Sequence, residues 1–181
     1  MNRATFICSL LTASILAGCG YRVAGRNDSL PKTIHVIAVP AIENKTSSYR
    51  IEQRLTAATI HEFLARTSYK VVSAPESGDA VLRAKVLTVE AVPLLFTSIP
   101  ATGTTPATTR ATNMLVTMKC EVTLTESATQ KVLYHNDNFV FRNEYEISSD
   151  VKSFFEEEDP ALDRMAKDFA KRVVSAVTEN Y

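Results

Sequence analysis

From Met114 to Thr125 the chain alternates, with Met114, Val116, Met118, Cys120, Val122 and Leu124 on one side and Thr117, Lys119, Glu121, Thr123 and Thr125 on the other. Successive side chains of a strand point to opposite faces, so this pattern describes a strand with one buried and one wet face. Such strands belong to antiparallel sheets covered on a single side. Ala80 to Ala91 repeats the pattern, with Ala80, Leu82, Ala84 and Val86 opposite Val81, Arg83, Lys85, Leu87 and Val89. Lys131 to Tyr145 follows a polar turn at Glu126–Gln130, and Asn136-Asp137-Asn138 in its middle predicts a bulge or a break. The three segments read as an antiparallel meander.

The flanking segments supply the other layer. Ile34 to Val39 is a short apolar run stopped by Pro40, which predicts a buried strand. A polar turn, Glu43 to Ser48, offers Ser47 and Ser48 as helix caps. Ile51, Leu55, Ala58, Ile60, Phe63 and Leu64 then form a broad stripe at helical spacing, placing a helix over about Tyr49 to Arg66, with a second strand at Tyr69 to Ser73. Strand, helix and strand in that order make a right-handed crossover the default. Near the end, Asp159 is a good N-cap and Pro160 suits a first helical position. Leu162, Met165, Ala166, Phe169, Ala170, Val173, Ala176 and Val177 continue at helical spacing, and Glu156-Glu157-Glu158 precede the expected start. The fold class is α+β, a two-layer sandwich with both helices on one face of a mixed sheet of four or five strands. The opposite face is left without a helix.

Little points to catalysis. His35, His61 and His135 are widely spaced and show no zinc-ligand pattern, and no nucleophile elbow, phosphate loop or dinucleotide fingerprint occurs. No catalytic residue, metal or cofactor is assigned. Lysine and arginine together number 20, balanced by 20 acidic residues, so no basic face announces nucleic acid. Cys120 falls on the apolar side of its strand and reads as a buried small hydrophobe. Two features remain for binding. The connection Pro93 to Asn113 carries seven Thr and two Pro between Thr97 and Thr112, with Arg110 its one charge; a loop of this length is a binding loop or a disordered one. On the uncovered face Leu87, Val89 and Leu115 mix with Arg83, Lys85, Thr117 and Lys119, which suits either a partner or amphiphile with anionic groups or plain solvation.

The N-terminus has the parts of an export signal: Arg3, the apolar run Ala4 to Leu16, and the small residues Ala17-Gly18. That run falls short of the about 20 residues needed to span a bilayer as a helix. Leu16-Ala17-Gly18-Cys19 resembles the lipobox of bacterial lipoproteins. The resemblance implies cleavage before Cys19, a diacylglyceryl group on its sulfur, and an acylated new N-terminus. Residues 1–18 are then a signal peptide, 19–29 a lipidated tether, and 30–181 one domain of a size that supports a core. Three acyl chains hold firmly where one anchors marginally.

Cys19-Gly20-Tyr21-Arg22-Val23-Ala24-Gly25 resembles the mature start of LptE-type lipopolysaccharide-assembly lipoproteins. Leu30-Pro31-Lys32-Thr33-Ile34, Ile37-Ala38-Val39-Pro40 and Glu43-Asn44-Lys45-Thr46 continue the likeness, as do Ile51 to Ala58 and Tyr69-Lys70-Val71-Val72. The resemblance is clear from Cys19 to Ala84 and rests on the final helix after that. It implies two helices on a four-stranded sheet, and a lipoprotein on the periplasmic leaflet of the outer membrane. Gly20, in place of Asp, fits that sorting. It further implies that the domain plugs a large β-barrel partner and that the pair places lipopolysaccharide in the outer leaflet. Family members contact lipopolysaccharide through basic residues near loop ends; position and charge nominate Arg110 and Lys131, beside Arg83, Lys85 and Lys119 of the open face. Two other roles suit parts of the sequence. An activator of a peptidoglycan synthase also shows an Ala-Val-Pro strand and an Asn-x-Thr turn. Its expected tether is long, whereas about ten residues at roughly 3.3 Å each do not cross the periplasm. A lipid-carrier lipoprotein requires a sizeable apolar pocket.

Overall fold

The structure is a computed structural model that describes residues 30–104, 106–146 and 151–179, with side chains from residue 160 onward in the last stretch. Strand β1 (Val36–Ala38), the two-residue β2 (Glu43–Asn44), helix α1 (Ile51–Arg66) and β3 (Lys70–Val72) come first. A 3-10 turn at Pro75–Ser77 leads into β4 (Ala80–Ile99), β5 (Thr108–Glu126), β6 (Val132–Glu146) and helix α2 (Val151–Glu179). One mixed sheet runs β3-β1-β4-β5-β6, and β2 pairs with β4. β1 lies parallel to β3 and β4, while β4, β5 and β6 form the antiparallel meander. The short β2 brings the sheet to six strands, one above the expected range.

Both helices bury their apolar stripes against the same sheet face. Ile51, Leu55 and Phe63 of α1 join Leu162, Phe169, Val173 and Val177 of α2 over Leu82, Val86, Met118, Val122, Leu124 and Phe141. Phe169 meets Phe141 with ring centroids 5.2 Å apart and planes at 57°, and Phe141 stacks on Phe139 at 5.5 Å. The i, i+4 spacing of Ile51, Leu55, Thr59 and Phe63 sets the buried line of α1. Thr59 is tolerated there because its hydroxyl donates to the Leu55 carbonyl at 2.7 Å. Leu64 departs from the expected stripe and is 58% exposed, since it falls one residue past that line.

The entry to α1 uses a different residue from those expected. Neither Ser47 nor Ser48 caps it; Arg50 stands at the N-cap in a left-handed conformation (φ 58°) without a side-chain cap bond. Asn44 organises the turn instead. Its amide donates to the Ser48 carbonyl (2.7 Å) and to Glu52 (3.0 Å), and its oxygen accepts from the Thr46 N–H at 2.9 Å.

Asp79 ties the start of the sheet together. One carboxylate oxygen accepts from the His35 and Val36 N–H groups at 2.8 and 2.9 Å, and these bonds hold its pKa below the ordinary 3.8. A depressed carboxyl stabilises the fold above its unfolded pKa and loses that contribution as pH falls through the folded value. Asp79→Ala is therefore expected to melt below the wild type at pH 7, with the gap narrowing between pH 4 and pH 2. Thermal melts across that range test this; a gap independent of pH would refute it. Beside it, Gly78 packs so closely that a Cβ would lie 2.7 Å from the Ala38 Cβ, so only glycine fits.

Three expectations change. Helix α2 begins at Val151, so Asp159 is not its cap and Pro160 lies inside it. Proline suits a first turn because it lacks an N–H and its φ is fixed, but it also occurs inside helices at the loss of one bond, as in this 29-residue helix. The connection Pro93 to Asn113 is not a long loop: β4 and β5 continue as a hairpin paired out to Ile99↔Thr108. Thr favours a pleated strand as strongly as it fits a loop. Finally, the register slips between Val86 and Thr88, where Val86 faces Cys120 and Thr88 faces Lys119. One extra residue inverts the alternation that follows. Val89 therefore turns to the helix side and packs against the core, rather than sharing a face with Arg83. The bulge expected at Asn136–Asn138 is present: Cys120 pairs with Phe139 and Val122 with Asn136, and the Asn138 N–H bonds the Asn136 side chain at 2.8 Å.

Candidate partner-binding surfaces

The open sheet face is built from the side chains that alternate away from the helices. Arg83 is exposed opposite Thr123, and Lys85 lies opposite Glu121 with its ammonium 3.4 Å from that carboxylate. Lys119 is half-buried between Thr88 of β4 and Val140 of β6, and Leu115 sits between Val92 and Glu144. Glu43 of β2 aligns with Lys85; a hydrogen bond and charge from Lys45, 3.0 Å away, hold its carboxyl below the ordinary range. Cross-strand pairs of opposite charge at partly exposed positions register strands but add little stability.

Thus Arg83, Lys85 and Lys119 share one surface, as expected. The other two nominees stand apart. Arg110 is half-buried on the hairpin opposite Thr97. Lys131 is exposed at the β5–β6 turn, where its carbonyl accepts from the Glu126 N–H at 2.9 Å. Arg110 and Glu126 are sixteen steps apart along β5, roughly 50 Å at strand rise, so Arg110 and Lys131 lie toward opposite ends of that strand. Cys19, the signal and the tether lie outside the described residues.

Cys120 is buried on the helix side of β5, and burial pushes its thiol up to about 12. A thiol held neutral is a poor nucleophile, so it acts as packing. Among the described residues no group of three His, Cys, Asp or Glu is placed to hold a metal, and no helix is long and apolar enough to cross a membrane.

Two surfaces were not anticipated. Between the helices runs a groove of about 650 Å³ lined in part by Ala57, Ala58, Ala166 and Ala170. Arg54 closes it with a 2.6 Å contact to Asp163, while Lys167 and Lys171 stand along the α2 side. The other surface is the far part of the β4–β5 hairpin. Among the described residues, β5–β6 pairing reaches Asn113↔Glu146, and β4 and β5 pair with each other on to Ile99↔Thr108. Val92, Leu94, Leu95 (55%), Phe96 (61%) and Ile99 are exposed there. No charged residue occurs from Ala91 to Thr109. The apolar run Val92 to Phe96 was the available sequence signal, masked by Pro93 and the threonines.

The sequence model of the LptE lipopolysaccharide-assembly family matches residues 34–177. No curated protein matches the sequence significantly. Among solved structures, a lipoprotein B from Nitrosomonas europaea is similar at 14% identity and a TM-score of 0.52, covering 88% of this chain and 90% of its own. At that identity the likeness concerns the fold. The rare lipoprotein B of Shewanella oneidensis, at 12% identity, aligns over 80% of this chain and 95% of its own with a TM-score of 0.48. With the family match running from the first core strand into the last helix, this chain belongs to the LptE family of lipopolysaccharide-assembly proteins.

Proposed function

We propose that the protein is an outer-membrane lipoprotein, anchored through Cys19, that plugs a large β-barrel translocon and helps it insert lipopolysaccharide into the outer leaflet. The family match over residues 34–177 carries this reading. The chemistry of the surface supports it. A plug in a water-filled barrel needs a closed core and polar outer faces, and the open face supplies alternating Arg83, Lys85, Glu121, Lys119 and Thr117. On this reading Arg83, Lys85 and Lys119 meet anionic groups of lipopolysaccharide or of the barrel wall, and Arg110 and Lys131 do so at the two ends. Tethering raises the local concentration at the barrel, so modest contacts suffice for stable occupancy.

Detergent extraction of the lipidated chain tests the reading. The expected result is co-purification with a barrel of much greater mass, together with reduced surface lipopolysaccharide when the chain is depleted. Recovery as a free monomer with unaltered surface lipopolysaccharide would refute it.

A further inference from the structure

The groove between the helices repeats with the helical turn. Arg54, Ala58 and Glu62 line it from α1, and Asp163, Lys167 and Lys171 from α2, each set at i, i+4 spacing. Ala57, Ala166 and Ala170 also line it, so single methyl groups stand where longer side chains would fill the space. From Arg54 to Glu62 the α1 wall advances about 12 Å at the rise of a helix. The charges on the walls are not balanced. Asp163 holds Arg54 at 2.6 Å, and Arg66 holds Glu62 at 3.4 Å. The exposed side chains of His61, Lys167 and Lys171 have no hydrogen-bond or ion-pair partner among the described residues.

Spacing and charge together select an occupant. Lys167 and Lys171 lie one turn apart, with Cβ atoms about 5–6 Å from each other, which is the separation of a carboxylate pair at i, i+4 on a facing helix. Helices pack by seating the ridge of one in the groove of another, with axes about 8–10 Å apart, and small side chains at the contact permit the close end of that range. A lipid carries its anionic group at one end of a chain without a repeat. It matches the methyl groups or the cations, but not both along the length of the groove. An acidic helix matches both.

We propose that the groove receives an acidic amphipathic helix of a protein partner, which lays a ridge of small or apolar side chains over Ala57, Ala58, Ala166 and Ala170 and turns carboxylates spaced i, i+4 toward Lys167 and Lys171. Burial of the ridge supplies affinity, and the cations fix the register and reject basic or neutral helices. The inference goes beyond the translocon reading and does not need it, since a barrel wall presents strands and this groove selects a helix.

The test places the photoreactive p-benzoylphenylalanine at Gln53, and separately at Ala65, exposed residues of α1 on either side of its lining stretch, in the full chain in intact cells. The adducts are sequenced, and a synthetic peptide of the cross-linked segment is titrated into the purified full chain. The expected segment is one stretch of another protein with Asp or Glu at i, i+4 beside an apolar stripe, and its peptide gains helicity on binding. Lys167→Glu and Lys171→Glu should each weaken the peptide by at least about tenfold, and added salt should weaken it for the wild type. Ala57→Trp, which fills the groove from an exposed position, should abolish binding. Arg164→Glu, the same reversal on an exposed residue of α2 outside the groove, should leave it unchanged. A peptide with Lys in place of its acids should bind Lys167→Glu again, a rescue that an unfolded variant does not give. Adducts to lipid, adducts between two copies of the chain, an absence of adducts, a segment without the acidic helical pattern, or an equal loss in Arg164→Glu would each overturn the proposal. A barrel strand as the sole adduct also overturns it and leaves the translocon reading standing.

Discussion

Phe169→Ala is expected to destabilise the domain by about 3–5 kcal/mol, the range for truncating a buried aromatic. Phe169 is fully buried, and its ring stands 5.2 Å from Phe141 where helix α2 crosses the sheet. Phe141 in turn stacks on Phe139, and the Arg172 guanidinium covers it at 4.6 Å. Truncation leaves a cavity against Phe141 at the helix end of this stack, and close packing does not let the sheet collapse into it. Against a typical stability of about 5–15 kcal/mol, the loss removes much of what keeps α2 docked. Urea titration of the two proteins measures it. A difference under about 1 kcal/mol would mean that the helix layer does not rest on this contact.

Cys19→Ser is expected to have the largest effect on location. A serine hydroxyl does not take the thioether-linked lipid, so the product should lack the acyl mass and leave the outer-membrane fraction. The size of the change follows from transfer energy: each buried methylene contributes about 0.8 kcal/mol, and three chains bind firmly where one binds marginally. Mass spectrometry and membrane fractionation check both parts. Wild-type protein with a bare Cys19 thiol would remove the anchor and, with it, the location on which the plug reading depends.

The architecture was largely legible in the residues. Alternation in Met114–Thr125 gave β5 its buried face, and Met118, Cys120, Val122 and Leu124 are all fully buried. The stripe of α2 was readable throughout and that of α1 in Ile51, Leu55 and Phe63, because burial against a sheet selects one side of a 3.6-residue turn. Boundaries were less so: α2 runs through Pro160, and β4 and β5 extend through residues whose Thr and Pro content also suits a loop. The nominated cations divide in the same way. Arg83, Lys85 and Lys119 were placed on one face by local periodicity, whereas the separation of Arg110 from Lys131 depends on the length of β5.

By itself the sequence determined the class of the fold and the inner faces of β5 and of the two helices. These are properties of periodicity and of local chemistry, which a linear chain displays directly. Tertiary structure alone decided that Val89 joins the core and that β4 and β5 pair as far as Ile99↔Thr108. Both depend on pairing between strands: one extra residue between Val86 and Thr88 inverts the alternation that follows, as far as the next slip after Pro93, and only the partner strand shows that Thr- and Pro-rich residues are paired.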